Sequence, residues 1–297
     1  MDKAPTPGER PGGQAAAEGA APAREPYRSA GAEEGGAGTP VKFVTYSAAE
    51  PVPSQNQARR ISPSRAQILA APLSPAEKAM FDMPIERWMT VDRSALAGWR
   101  CAVPHPVTLG DLPPVDPSHR ILRHIALYKG AVTNLQLDAI VNAASTRCLG
   151  GGGVDGAIHA AAGPLLRREC ATFEGCRVGQ CRLTKGYMLP ARYVLHTVGP
   201  TLEKPECLRS CYRSVLSLAH QNRLRTVGFC CVATGVYGYP LLSATRIAVN
   251  ETVEYLKKHT AAFDLCCFAC FRPEEYTAYT DCLRECVGAT PTPPVDA

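Results

Sequence analysis

The sequence predicts an α/β protein in which a single sheet is covered by helices on both faces. From Ile121 onward, apolar runs of strand length alternate with amphipathic stretches of helix length, the pattern of a sheet with helical crossovers. The composition changes near residue 118: 17 of the 26 prolines fall in residues 1–118 and 13 of the 14 cysteines in residues 119–297. A length that by itself allows about two domains of roughly 150 residues therefore reads as one folded domain behind a long extension. Four consecutive glycines, Gly150 to Gly153, stand between an apolar run and a helical pattern, where sheets of this kind hold ligands beyond the carboxyl ends of their strands.

Residues 1–60 are dominated by Gly, Ala, Pro, Glu and Arg, with too little apolar surface to offset the entropy of ordering, so a disordered extension is expected. Residues 61–118 read as a linker carrying one short amphipathic helix docked on the domain. Ser74-Pro75-Ala76-Glu77 has the form of a capping box with proline at the first helical position, and Met80, Phe81, Ile85, Trp88 and Met89 follow at broadly helical spacing. Pro84 should interrupt that helix. Pro104, Pro106, Pro113, Pro114 and Pro117 mark the approach to the domain proper, residues 119–288, and residues 289–297 read as a disordered tail.

Within the domain, strands are expected at Ile121 to Tyr128, Asp138 to Ala143, Gly179 to Thr184, Tyr193 to Val198, Thr226 to Val232 and Asp264 to Phe271. Helices are expected near Val154 to Ala162, Pro164 to Thr172, Glu206 to Asn222, Ser243 to His259 and Glu274 to Cys286. The net charge of +5 resides in the folded part, since residues 119–297 carry twenty Lys/Arg against fourteen Asp/Glu. That field suits a small anionic ligand, and the absence of Lys/Arg runs argues against nucleic acid. Nothing approaches the ~18 apolar residues of a membrane span, and no secretory or transit pattern opens the chain, so a cytoplasmic or nuclear protein is expected.

In a reducing compartment the fourteen cysteines read as thiols. Cys266, Cys267 and Cys270 include a CxxC, but they lie in the apolar run DLCCFACF, which reads as a buried strand. A zinc site would need a second pair at suitable spacing with neighbouring histidines, so no metal and no cofactor are expected.

The chemistry-bearing segment runs from Asp138 through Asn142 and Ser145 to Gly150-Gly151-Gly152-Gly153-Val154-Asp155-Gly156 and His159. A glycine turn that opens a helix can cradle a phosphate on its backbone amides. Gly151, Gly153 and Gly156 also satisfy GxGxxG, but six residues separate the strand end from the first glycine, which does not fit the dinucleotide fingerprint. Asp155 and His159 are four apart and share one helix face. They read either as a catalytic pair or as a helix-start charge with a surface imidazole. A second loop, Ala233-Thr234-Gly235-Val236-Tyr237-Gly238-Tyr239-Pro240, follows another apolar run. It reads as the opposite wall of a diphosphate site with Tyr237 over a sugar, or as an ordinary turn.

VNAA paired with LGGGGVDGAIHAAAGP, then KGYMLPARYVLHTVGP and ATGVYGYP, resembles a macrodomain of the MacroD type over residues 120–287. The segment from Lys185, with SCYRSVL and GFCCV, is also similar to the macrodomain of the ganglioside-induced differentiation-associated protein. This resemblance implies a three-layer α/β/α sandwich with a mixed central sheet and an ADP-ribose pocket. It further implies a monomeric hydrolase that removes mono-ADP-ribose from Asp/Glu side chains of modified proteins and deacetylates O-acetyl-ADP-ribose, or a non-catalytic reader of the same ligand. Since the chain ends about ten residues past the last expected helix, no lipid-binding domain is expected to follow.

Carried over by position, Asn142 would contact the distal ribose and Gly151, Gly152, Gly153 and Val154 would wrap the diphosphate. Asp155 would orient water or ribose with support from His159, and Thr234, Gly235, Val236, Tyr237, Gly238 and Tyr239 would form the second loop. Two positions depart from the family pattern. Gly130-Ala131-Val132-Thr133 has alanine where the family has the aspartate that accepts from adenine, and Ser145 replaces an asparagine. Loss of such a charged hydrogen bond predicts adenine recognition weaker by about 1.5–3 kcal/mol.

Overall fold

The computed structural model describes residues 63–286. The expectations of disorder for residues 1–60 and 289–297 lie outside the described residues. All six expected strands form: β1 (Ile125–Lys129), β2 (Ala139–Ala143), β3 (Cys181–Lys185), β4 (Tyr193–Thr197), β5 (Thr226–Phe229) and β6 (Leu265–Cys270). They make one sheet in the order β1-β6-β5-β2-β4-β3, parallel throughout except for the antiparallel β3–β4 pair at one edge. The sheet is mixed, as the resemblance implies. β3, β4, β5 and β6 are buried along their whole length; β5 and β6 accordingly read as apolar runs, whereas β3 carries Arg182, Thr184 and Lys185 in its buried length.

The five helices expected in the domain are α4 (Gly153–Ala162), α5 (Pro164–Ala171), α6 (Pro205–Gln221), α7 (Leu241–Lys258) and α8 (Pro273–Cys286). From β2 the chain crosses to the edge strand β3 and returns antiparallel to β4, and from β4 it moves back past β2 to β5. Right-handed crossovers in opposite directions place their helices on opposite faces. Accordingly α4 and α5 pack together on one side, while α6, α7 and α8 pack in series on the other. β2 and β5 are hydrogen-bonded neighbours, and the chain leaves their carboxyl ends toward opposite faces. The crevice between them is the topological switch point of the sheet.

Residues 63–118 are more than the linker with one helix that composition suggests. α1 (Arg65–Ala70), α2 (Pro75–Asp82) and α3 (Ile85–Thr90) all form. Ser74 makes the expected capping box with Glu77, and Pro84 separates α2 from α3. Met80 and Trp88 are fully buried in the core. Trp88 Nε1 donates to the Arg192 carbonyl at 2.9 Å, and Tyr193 Oη donates to the Ile85 carbonyl at 2.7 Å. Lys185 Nζ donates to the Met80, Phe81 and Met83 carbonyls at the end of α2, where a cation complements the helix dipole. Arg93 donates to the carbonyls of Leu189, Pro190 and Ala191. The proline-rich stretch continues as an ordered wrap, with Val107 N bonded to Asn134 O, Gln136 N to Val107 O and Val115 N to Ile125 O. Prolines interrupt regular structure there, but the intervening residues supply the hydrogen bonds that hold the wrap to the sheet edge.

Candidate functional site

The long loop after β2 ends in the glycine run, and α4 begins at Gly153 with Gly152 as an N-cap that makes no side-chain bond. The first amides of α4 therefore have no capping side chain, the arrangement in which a helix start receives an anion. Gly151, Gly152 and Gly153 are exposed, and Val154 is half-buried. Gly153 has φ +58°, in the left-handed region that favours glycine. A β-carbon on Gly156 would lie 2.5 Å from the Gly151 carbonyl oxygen, so the loop passes too close to the helix for any side chain at 156.

Asp155 sits in the first turn of α4, 4% exposed. Asn142, next to last in β2, donates from Nδ2 to Asp155 Oδ1 at 2.8 Å. Burial raises the Asp155 carboxyl above the usual range, opposed by the Asn142 bond and by the Ser145 amide. His159 lies one turn on. Its Nε2 is 3.4 Å from Asp155 Oδ1, yet neither ring nitrogen has a hydrogen-bond partner among the described residues. Burial, then the charge of Arg167, pushes this imidazole down to about 4, so it is neutral at pH 7. Gly150 lies directly against it, with a built β-carbon 3.3 Å from His159 Cγ.

The second loop faces the first across the crevice, where a β-carbon built on Gly153 would lie 3.6 Å from Val236 Cγ2. Gly238 N bonds to Gly235 O, and Tyr239 N to Ala233 O. Val236 is 82% exposed at the tip, Gly235 and Gly238 are exposed, and Thr234 is half-buried. Tyr237 is half-buried, and its hydroxyl is raised by burial and then by the charge of Asp155. Tyr239, like Ala233 at the start of the loop, is buried in the core. Ala131 and Val132 lie at the carboxyl end of β1, Ala131 half-buried and Val132 buried, while Ser145 is half-buried beside the start of the glycine loop.

Two features escape the sequence reading. Phe271 follows β6 directly and is 76% exposed, at the same sheet end as Ala131, where Gly130 N bonds Cys270 O. His196 on β4 is fully buried beneath Asp155. Its Nδ1 is 3.0 Å from Asn142 Nδ2, and its Nε2 is 2.8 Å from Thr184 Oγ1 and 3.7 Å from Cys170 Sγ. His159, Cys170 and His196 each offer a donor atom within 4.8 Å of the others, a set whose types suit zinc. Burial holds the Cys170 thiol well above its usual range, which disfavours the thiolate a metal needs. Cys266, Cys267 and Cys270 are buried thiols in β6, as the sequence suggests.

A family profile described as Macro domain matches residues 141–248, from β2 into α7. A macro domain-containing protein of Ralstonia nicotianae is 46% identical over 159 residues, which are 52% of this chain and 91% of that protein. The chain belongs to the macro domain family. Among solved macro domains, that of Trypanosoma brucei in complex with ADP-ribose superposes with a TM-score of 0.76 at 66% identity, covering 82% of this chain and all of that one. The macro domain of ganglioside induced differentiation associated protein 2 gives 0.57 at 33% identity, covering 61% and 96%. Related full-length proteins include the ADP-ribose glycohydrolases MACROD2 of Xenopus laevis, 44% identical over 58% of this chain and 42% of that protein, and MACROD1 of Mus musculus, 43% identical over 57% and 55%. This macro domain protein thus spans about half the length of those relatives. Among the described residues, no helix is long and apolar enough to cross a membrane.

Proposed function

We propose that the protein binds ADP-ribose in the crevice between the β2 and β5 loops and hydrolyses ADP-ribosyl esters. Its substrates would be proteins carrying mono-ADP-ribose on Asp or Glu, with O-acetyl-ADP-ribose as a small-molecule counterpart. The observation that carries this reading is Asp155: a buried carboxylate, held by Asn142 at 2.8 Å, in the first turn of a helix whose glycine entry has no side-chain cap.

In this reading the diphosphate lies on the amides of Gly151 to Val154, with Thr234 to Tyr239 closing the other side. Each aligned amide–phosphate contact contributes about 1.5–3 kcal/mol. Tyr237 packs against the distal ribose, and Asn142 and Ser145 flank it. Phe271 offers a face on which adenine stacks, next to Ala131 and Val132. A water positioned by Asp155 adds to the ester carbonyl, the ribosyl oxygen leaves with a proton, and free carboxylate and ADP-ribose result. Positioning dominates such a step, and burial suits Asp155 to accept a proton because a raised carboxyl is a stronger base. His159, neutral under Gly150, supports the loop rather than carrying charge. Supporting the reading from outside, relatives are named ADP-ribose glycohydrolases and a solved macro domain 66% identical to this one holds ADP-ribose.

Ala131 and Ser145 favour a second reading, a non-catalytic module that binds modified proteins. Incubation with a protein carrying mono-ADP-ribosyl glutamate separates the two. Release of ADP-ribose that disappears in Asp155→Ala supports the hydrolase. Release that persists removes Asp155 from the mechanism, and binding without release favours the reader.

A further inference from the structure

We propose that His196 is a positioning residue that fixes the polarity of the Asn142 amide and thereby the orientation and charge of Asp155. The proposal rests on the hydrolase reading for its kinetic consequence but not for its structural content.

Parallel pairing of β2 with β4 sets Asn142 directly opposite His196, so their approach is fixed by backbone register. Asn142 Nδ2 has two acceptors, Asp155 Oδ1 at 2.8 Å and His196 Nδ1 at 3.0 Å. An ionised carboxylate only accepts, which obliges the amide to present nitrogen to it, and the second N–H then points at His196. His196 Nδ1 must in turn carry a lone pair, placing the ring proton on Nε2, where Thr184 Oγ1 accepts it at 2.8 Å. The donors thus diverge from Asn142, one N–H going to Asp155 and the other to His196, whose Nε2–H goes on to Thr184.

Among the described residues, Asn142 Oδ1 is buried without a partner. An amide free to choose would turn that oxygen toward a donor, so its orientation is imposed by the two acceptors on the nitrogen. The same proton placement weighs against a metal in this cluster: the Nε2 that faces Cys170 bears hydrogen, and freeing it would reverse the amide against Asp155. The groups facing His196 are Asn142 from β2, Thr184 from β3, His159 from α4 and Cys170 from α5. Those facing Asp155 are Asn142, the Ser145 amide, His159 and Tyr237. Burial and the neighbouring His159 hold His196 down to about 3, so the ring stays neutral and Nδ1 stays an acceptor across the working pH range.

The first test reads the tautomer. In wild-type protein with 15N-labelled histidine, long-range 15N–1H correlation should show His196 protonated on Nε2 alone from pH 5 to pH 8. A proton on Nδ1, or titration within that range, overturns the proposal whatever the protein's activity. The second test is kinetic, on mono-ADP-ribosylated substrate. His196→Phe removes the Nδ1 acceptor and should lower kcat by about ten- to a hundredfold with KM changed less than about threefold. Its acid limb should also shift to higher pH, because a loosened Asn142 no longer holds Asp155 ionised. His196→Asn offers an oxygen where Nδ1 was and should recover most of that loss. A KM effect with unchanged kcat, or no recovery in a folded His196→Asn, overturns the proposal. Should His196→Phe not fold, Thr184→Val, which frees the ring to change tautomer, reads the same relay by the same correlation and is expected to show mixed Nδ1 and Nε2 protonation. A wild type without hydrolysis refutes the functional reading alone and leaves the tautomer result standing.

Discussion

Acidification should destabilise the fold through His159, by an amount that its surroundings set. The side chain is 10% exposed, and neither ring nitrogen has a hydrogen-bond partner among the described residues. The nearest acceptor, Asp155 Oδ1, is 3.4 Å away and already takes a bond from Asn142. Burial and then the Arg167 charge push the imidazole down from 6.5 to about 4. Between those values the unfolded chain binds a proton that the native state does not. The stability from the buried neutral ring is therefore complete above pH 6.5 and is lost as the pH falls toward 4. At 1.36 kcal/mol per pH unit for one proton, lowering the pH from 7 to 5 removes about 2 kcal/mol through this residue. Urea unfolding of the wild type and His159→Phe at both pH values isolates the effect, since the phenyl ring fills the same space without titrating. The wild type should lose about 2 kcal/mol more than the variant over that interval. Equal losses refute the reasoning. So does a native-state NMR titration of His159 above pH 6.5, which would make the 3.4 Å contact an ion pair and reverse the sign.

Restoring the missing acceptor, Ala131→Asp, should tighten ADP-ribose binding by about tenfold or more in calorimetry, and an unchanged Kd would show that adenine is held by other groups. Gly156→Ala places a β-carbon 2.5 Å from the Gly151 oxygen, so the loop must lift off α4; ADP-ribose affinity should fall at least about tenfold while the melting temperature changes little. Trp88→Ala empties a fully buried site where the residues 63–118 meet the sheet and should lower stability by about 3–5 kcal/mol in urea; a loss under about 1 kcal/mol would mean that this segment is dispensable to the domain.

The six strands and five domain helices were legible because each is long enough to show its period or its apolar run, and because turn residues bound it. β5 ends at Phe229 rather than reaching Val232, since the chain must leave the sheet early to reach the exposed loop. α1 spans six residues, less than two turns, so no periodicity could announce it, and its Arg65 donates to the Cys170 and Phe173 carbonyls; α3, equally short, showed only as the far part of the helical spacing that Pro84 interrupts. The glycine loop with Asp155 was readable because its chemistry is contiguous in sequence. The Thr184–His196–Asn142 relay was not, because it depends on strand register across three strands. Its one trace in the sequence is a histidine within the apolar run YVLHT, a polar group that a buried strand accommodates only with partners. Phe271 escaped for the opposite reason: at the end of an apolar run it reads as core, and only its place past the carboxyl end of β6 leaves it exposed.

The packing of residues 63–118 on the sheet also has a bearing on how the chain acquires its structure during synthesis. Trp88 finds its partner at Arg192 and Tyr193 reaches back to Ile85, while Arg65 binds carbonyls beyond residue 169. Segments made first must therefore wait until more than a hundred further residues have left the ribosome. At about 5–20 residues per second that interval is several seconds to tens of seconds, during which Trp88 and Met80 are without their native cover. Contacts so distant in sequence slow folding, and the nascent form is where this protein is most exposed to chaperones and to aggregation.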